Sequence, residues 1–308
     1  MENHDLVIIG AGCAGLSAGI YSASAGLETL ILDKCPPGGR AALAESILNY
    51  PGVPDISGPE LVRRMCRQAE AFGAVTRTAE IIGVSLAGEP KALVTSSGTI
   101  SAKSVIIAAG TFPSRGGFEG ESTFLGHGVS CCATRDGRLF RGKDIFVTGS
   151  GNSAAEAALY LTHFGKNVTV LVREDSLGCS HAAEQRLLRA PKVSVRFGAA
   201  LIRVYGDDAP RGVVIKDLRT GKEETLEPDG GFGVFVYAGQ DPDSSLFREQ
   251  VNLDENGYII TDELMRTGLP GVFAAGDIRR KSLRRIATAV SDGAVAAAGA
   301  EKFITGGA

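Results

Sequence analysis

The chain has 308 residues, 44 % of them apolar and 22 % charged, with a formal net charge of -3. That length suits two α/β domains better than one, and the balance excludes the basic excess that nucleic acid demands as well as the make-up of a disordered chain. No apolar stretch reaches the ~20 residues of a membrane span, no basic leader opens the sequence, and its six cysteines hold no C-x-x-C pair, so a cytoplasmic location is expected, with no membrane or nucleic-acid partner and no metal.

The run Asp5 to Ile9 reads as a short apolar strand. Directly after it come Gly10-Ala11-Gly12-Cys13-Ala14-Gly15, a small-residue helix over Leu16 to Ala25, and a second strand, Glu28 to Leu32, ending at Asp33. Strand, G-x-G-x-x-G, helix, strand and an acid about 20 residues on make a βαβ dinucleotide-binding unit. Its glycines let the backbone approach a pyrophosphate on the helix N-terminus, and the carboxylate accepts from a ribose hydroxyl. Cys13 takes a position in this turn that needs a small residue; Cys35 follows the second strand and belongs near the adenosine end.

A helix is predicted over Gly58 to Phe72, with Ser57 and Glu60 in capping-box spacing and an apolar stripe of Leu61, Met65, Cys66, Ala69 and Phe72, which makes Cys66 a core residue. Strand-like runs follow at Ala92 to Ser96, Thr99 to Ala102 and Ser104 to Ala109, the last closing at Gly110. The βαβ pattern then returns: strand Asp144 to Thr148, the turn Gly149-Ser150-Gly151-Asn152-Ser153-Ala154, helix Ala155 to Phe164 and strand Asn167 to Val172. Cys179 and His181 lie in a polar loop beyond it, and two ligands do not make a metal site. Near the end, Gly271 to Asp277 reads as a buried strand closing on Gly276-Asp277, which on its own is a common turn and whose carboxylate can also bond a ribityl hydroxyl.

In this order the pieces resemble the low-molecular-weight thioredoxin reductase family over nearly the whole chain. The stretches that carry the likeness are GAGCAG (10–15), PGGR (37–40), the segment 49–74, IIAAGTFP (106–113), GVSCCATRDG (128–137), and the segments 140–173 and 257–304. The resemblance implies an α/β fold of two Rossmann-like, three-layer ββα-type domains, the second inserted into the first. Residues 1–113 and 244–308 would form a discontinuous FAD-binding domain and 114–243 an NAD(P)H-binding-like domain, joined by two hinge segments. FAD contacts would fall on Gly10, Gly12, Cys13, Ala14, Gly15, Asp33, Lys34, Gly39, Arg40, Asn49, Ala109, Gly110, Gly276, Asp277, Arg285, Ile286 and Ala287. A second nucleotide would meet Gly149, Gly151, Asn152, Ser153, Ala154 and Arg173. A homodimer is implied as well, with a thioredoxin-like protein or ferredoxin as candidate partners.

Two departures bear on function. The family's redox phrase is C-A-T-C-D-G, whereas this chain reads Cys132-Ala133-Thr134-Arg135-Asp136-Gly137, so the flavin-facing cysteine has become Arg135 and the ordinary relay through C-x-x-C is lost. Catalytic candidates are therefore Cys132, Cys131, Arg135 and Asp136. Cys132 has four readings: a strained vicinal disulfide with Cys131, a pair with a cysteine brought near by folding, a lone thiolate whose pKa Arg135 and a helix N-terminus lower, or an idle inherited thiol. The second departure is Val172-Arg173-Glu174 followed by Gly178, where NADPH-dependent relatives carry H-R-R and a further Arg. The 2′-phosphate clamp is degraded, which leaves NADH, weakly held NADPH or a second flavin nucleotide as alternatives. Arg135 and Arg285 would also bring positive charge to the flavin and favour its reduced, anionic form. Three functions remain: an FAD-dependent thiol/disulfide oxidoreductase with a non-standard cysteine arrangement, a flavin reductase or ferredoxin-linked diaphorase, and a non-catalytic FAD-binding sensor.

Overall fold

The computed structural model describes residues 2–44 and 46–307. The chain divides into two compact units, Met1–Phe112 with Asp241–Ala308 and Pro113–Gln240. In chain order the first unit opens with β1 (Glu2–Ile9), α1 (Cys13–Ser24), β2 (Thr29–Asp33), α2 (Gly58–Ala71), β3 (Val75–Thr78), β4 (Ile81–Ser85), β5 (Lys91–Thr95) and β6 (Gly98–Ile107), and β7 (Thr111–Pro113) follows. The second unit holds α3 (Glu121–Phe124), β8 (Val129–Ser130), α4 (Ala133–Asp136), β9 (Asp144–Thr148), α5 (Asn152–Leu161), β10 (Val168–Val172), α6 (His181–Arg189), β11 (Val193–Phe197), β12 (Ala199–Gly206), β13 (Pro210–Asp217), β14 (Glu223–Leu226) and β15 (Phe232–Val236). After β16 (Gln240–Pro242), the chain ends with β17 (Val272–Ala274) and α7 (Ile286–Thr305).

The first unit is built on a sheet ordered β3-β2-β1-β6-β5-β4, with β17 also paired to β6. Its core strands β1, β2, β6 and β17 run parallel, whereas β4, β5 and β6 form an antiparallel meander. Three sequence expectations are corrected here. Thr99 to Ala102 and Ser104 to Ala109 are not two strands: β6 is one strand of ten residues, because its pairing with β1 runs from Ile100 to Ile107 past the exposed Lys103. Helix α1 starts at Cys13 rather than Leu16, so the glycine turn runs straight into the helix. Phe72 is 51 % exposed rather than on the core stripe, since α2 has already ended at Ala71.

Small residues decide how α1 packs. A Cβ on Gly19 would lie 2.5 Å from Ile31 Cδ1, and one on Gly293 of α7 would lie 2.2 Å from the Ala14 carbonyl oxygen. The two helices therefore meet backbone to backbone, pinned by the Ser17 hydroxyl, which donates to the Val290 carbonyl at 2.7 Å. Helix α2 is capped as its sequence predicts, the Ser57 hydroxyl accepting from the Glu60 N–H, and it buries Leu61, Val62, Met65 and Ala69, with Cys66 half-buried beside them.

The second unit repeats the architecture with a parallel sheet ordered β11-β10-β9-β15-β8, and adds an antiparallel sheet, β12-β13-β14. Its strands are near-continuous apolar runs, Val168 to Val172 and Phe232 to Val236, as strands covered on both faces require. Among the described residues no helix is long and apolar enough to cross a membrane.

Candidate functional site

In the first unit, the carboxyl ends of three parallel strands bring the expected cofactor residues together, the place where open α/β sheets bind ligands. Gly10 follows β1 at φ +107°, and a Cβ there would meet the Ala108 carbonyl oxygen at 2.3 Å. Gly15 is tighter still: its Cβ would stand 1.8 Å from the Gly10 carbonyl oxygen. Gly12 differs in kind, for a Cβ on it would meet nothing within 4 Å. Gly10 and Gly15 are thus required by the turn itself, whereas Gly12 leaves room on the helix N-terminus for something outside the chain.

Asp33 ends β2 and holds this turn from the side. Its Oδ2 accepts from the Ala11 N–H at 2.7 Å and its Oδ1 from the Cys35 N–H at 3.0 Å, and each oxygen keeps a further lone pair for a hydroxyl. The Gly38 N–H donates to the Ala11 carbonyl at 2.8 Å, bringing Gly39 and Arg40 to the same edge, where Arg40 donates to the Thr111 hydroxyl at 3.3 Å. Lys34 is spent otherwise: its ammonium pairs with Asp243 at 2.9 Å. Asn49 is exposed, and Ala109 and Gly110 line the chain just beyond β6. The Cys13 thiol is buried in the turn, and burial, with the nearby Asp277 charge, pushes its pKa up to about 11, as suits a packing residue rather than a nucleophile.

Gly276 and Asp277 close β17 against α1, a Cβ on Gly276 falling 2.7 Å from Ala14 Cβ. Asp277 Oδ1 is buried and finds no hydrogen-bond partner among the described residues. Burial raises the pKa of this carboxyl above its ordinary 3.8, against the opposing pull of Lys281, Arg40 and Arg284. A raised folded-state value means that the native state binds more protons than the unfolded one between 3.8 and that value, so the ionised group opposes folding above this window. Asp277→Asn is therefore expected to raise the melting temperature of the ligand-free protein near neutral pH. The gain should fade as the pH falls toward the ordinary carboxylate range, and melts across that span check it; a constant gain at every pH would contradict the account.

Sequence reasoning missed Asp292, the one charged residue in the small-residue run Ile286 to Ala300. It is 7 % exposed, and its Oδ2 accepts from the Gly276 N–H at 3.0 Å and from Lys281 Nζ at 2.7 Å. Its isolation in that run was the available signal. Arg285, exposed, is the N-cap of α7, with Ile286 and Ala287 in the first turn behind it.

In the second unit, Cys132 is the N-cap of α4 and half-buried. Its N–H donates to the Ser130 hydroxyl at 2.9 Å, that hydroxyl donates to Asp136 Oδ2 at 2.6 Å, and Cys132 Sγ lies 3.4 Å from Thr134 Oγ1. The Ala133 N–H is taken by the Tyr237 hydroxyl at 3.1 Å. Arg135 gives its hydrogen bonds to a carboxylate rather than to the thiol. Its guanidinium grips the adjacent Asp136 through two bonds, 2.8 Å from Nε and 2.7 Å from Nη2, which holds the Asp136 carboxyl below its usual range. Cys131, also half-buried, and all five other cysteines are free.

The second glycine turn keeps its geometry. A Cβ on Gly149 would clash with the Tyr237 carbonyl oxygen at 2.4 Å, one on Gly151 would meet nothing within 4 Å, and Ala154 is buried at the foot of α5. Ser153 is exposed, while the Asn152 side chain accepts from the Ser180 N–H at 3.0 Å. Arg173 donates to the Gly116 carbonyl at 3.1 Å, beside an exposed Glu174, and Asp175 pairs with Arg219. Cys179 packs on the apolar cluster under α5 instead of lying in a wholly polar loop. Among the described residues no three His, Cys, Asp or Glu side chains group as metal ligands would.

The family model for pyridine nucleotide-disulphide oxidoreductases matches residues 4–293. The chain belongs to this family. It is 41 % identical to a thioredoxin reductase of Peptoclostridium acidaminophilum, over 99 % of this chain and 98 % of that one. Among solved structures it is similar to the Lactococcus lactis thioredoxin reductase in its FR conformation, with a TM-score of 0.94 and 39 % identity over 98 % of this chain and 99 % of the other. It is likewise similar to the T. acidophilum thioredoxin reductase, with a TM-score of 0.90 and 37 % identity over 98 % of this chain and 99 % of the other. The chain is a thioredoxin reductase-like oxidoreductase with the two-Rossmann fold that its sequence pattern implies.

Proposed function

We propose that this protein is an FAD-dependent thiol–disulfide oxidoreductase that works through one thiol, Cys132, and draws its electrons from a donor other than NADPH. The observation that carries the reading is the closed Arg135–Asp136 pair where its relatives' redox phrase has a second cysteine, next to a Cys132 that keeps its place at the head of α4. The first unit fits FAD: the open space over Gly12 suits a pyrophosphate, Asp33 retains lone pairs for a ribose hydroxyl, and the orphaned Asp277 Oδ1 suits a ribityl hydroxyl. When bound, FAD supplies the two-electron redox couple.

The chain's own residues account for the rest. Cys132, as thiolate, attacks a disulfide R–S–S–R′, forming Cys132–S–S–R and expelling R′–S⁻, which takes a proton from solvent. Return of Cys132 to its thiolate, with release of R–S⁻ that takes up a proton from solvent, would consume two electrons, the couple that FAD would supply when bound. Ser130 fixes the Cys132 backbone, and Asp136, held ionised by Arg135, anchors Ser130 in turn. Glu174 and the committed Arg173 support rejection of a 2′-phosphate, since a lone guanidinium beside a carboxylate offers no net positive clamp.

Anaerobic stopped-flow reduction by NADH, NADPH and reduced ferredoxin, with electrons counted per FAD, tests both halves. Two electrons per FAD and reduction by NADH or ferredoxin at least about tenfold faster than by NADPH are expected. Uptake of four electrons would require a second redox centre and end the one-thiol reading; fast reduction by NADPH would end the donor reading.

A further inference from the structure

We propose that Asp292 is a positioning residue for the flavin: by holding Lys281 it keeps that ammonium off the Asp277 carboxylate and leaves Asp277 open to accept a hydroxyl from the ligand. This rests on the reading above, in which Asp277 faces FAD. Buried carboxylates are ordinarily paired, yet Asp277 leaves a buried oxygen without a partner in a loop rich in cations. The cations around Asp277 have other partners, Arg40 donating to the Thr111 hydroxyl. Lys281, its side chain 9 % exposed, gives its ammonium to Asp292 at 2.7 Å. Arg279 Nε lies 3.3 Å from the same carboxylate while its Nη1 donates to the Thr261 hydroxyl. Arg284 stacks its guanidinium 3.9 Å over the Tyr258 ring and donates to the backbone carbonyls of Asp277, Arg279 and Lys281.

Asp292 thus performs two tasks through one oxygen. It fixes the Gly276 N–H, and so the backbone from which Asp277 projects, and it draws away the ammonium that exerts the largest attractive influence on Asp277. If Lys281 were released, Asp277, whose carboxylate its charge already attracts and whose Oδ1 has no partner among the described residues, would be open to it, and an ion pair there would compete with the ligand's hydroxyl.

The test is a double-mutant cycle on apoprotein prepared by removing flavin, read as the FAD dissociation constant from flavin fluorescence, with thermal melts to establish that each variant is folded. Asp292→Asn keeps an oxygen for the Gly276 N–H but removes the negative charge that holds Lys281, and is expected to weaken FAD binding at least about tenfold. Lys281→Met alone, and Asp292→Asn with Lys281→Met, are expected to stay within about threefold of the unaltered protein. A double variant that binds no better than Asp292→Asn would overturn the proposal, because a merely structural aspartate is not rescued by removing its partner. Should Asp292→Asn fail to fold, Lys281→Met still decides: undiminished binding supports the proposal, and a large loss would mean that the ammonium serves the ligand directly and overturn it. Unaltered protein that takes up no FAD would sink the proposed function itself.

Discussion

Gly15→Ala is expected to abolish flavin binding and to lower the stability of the first unit by more than the ~1–3 kcal/mol of ordinary overpacking. The added Cβ would stand 1.8 Å from the Gly10 carbonyl oxygen, 3.0 Å from its carbon and 3.3 Å from Ile8 Cγ2, and a backbone carbonyl cannot swing aside as a side chain can. Either α1 shifts off the sheet or Gly10 leaves a conformation, φ +107°, that already requires glycine. The matched control is Gly12→Ala, whose Cβ would meet nothing within 4 Å and whose extended backbone, φ -78°, suits alanine. Its apoprotein should melt within the small range of surface substitutions, about 0.5 kcal/mol, while its FAD affinity falls at least about tenfold. Melting curves and FAD titrations of the two variants check the contrast. A Gly12→Ala protein that binds FAD undiminished would remove the pyrophosphate from that opening.

Cys132→Ser is expected to lower disulfide-dependent turnover by on the order of a thousandfold or more while leaving the rate of flavin reduction by its donor within about twofold. The serine hydroxyl can keep the bond to Thr134, so the local fold survives, but it cannot form a disulfide. Turnover with a small disulfide such as 5,5′-dithiobis(2-nitrobenzoate), set beside stopped-flow bleaching of the flavin, separates the two effects. Equal disulfide turnover by the serine variant would move the protein to the class of flavin reductases.

Both glycine turns were legible in the sequence because strand, turn and helix follow one another within one βαβ unit, although the carbonyls that demand Gly10 and Gly149 lie just beyond the neighbouring strands β6 and β15. Asp277 was legible from its strand end. What escaped were arrangements that depend on which of several partners a charge selects. Arg135 could be placed beside Cys132 by number, but its guanidinium found a carboxylate one residue on, where the fork of the side chain closes most readily. Asp292 needed the packing of α7 against the β17 loop, more than ten residues away in sequence, before its partners Gly276 and Lys281 could be seen. The single strand β6 was split at Lys103, a charged residue among apolar ones, whose exposed side chain leaves the strand unbroken.

The discontinuity of the first unit also constrains the order in which the protein can be made. Residues Pro113–Gln240 are contiguous, so the second unit has every strand of its sheets as soon as that stretch leaves the ribosome. The first unit does not: β6 lacks its β17 partner, and α1 lacks the α7 backbone that fills the space beside Ala14 and Ser17, until the final segment is synthesised. At roughly 5–20 residues per second, the apolar face of the N-terminal βαβ unit therefore waits about ten seconds or more for its cover, the interval in which a nascent chain most needs a chaperone.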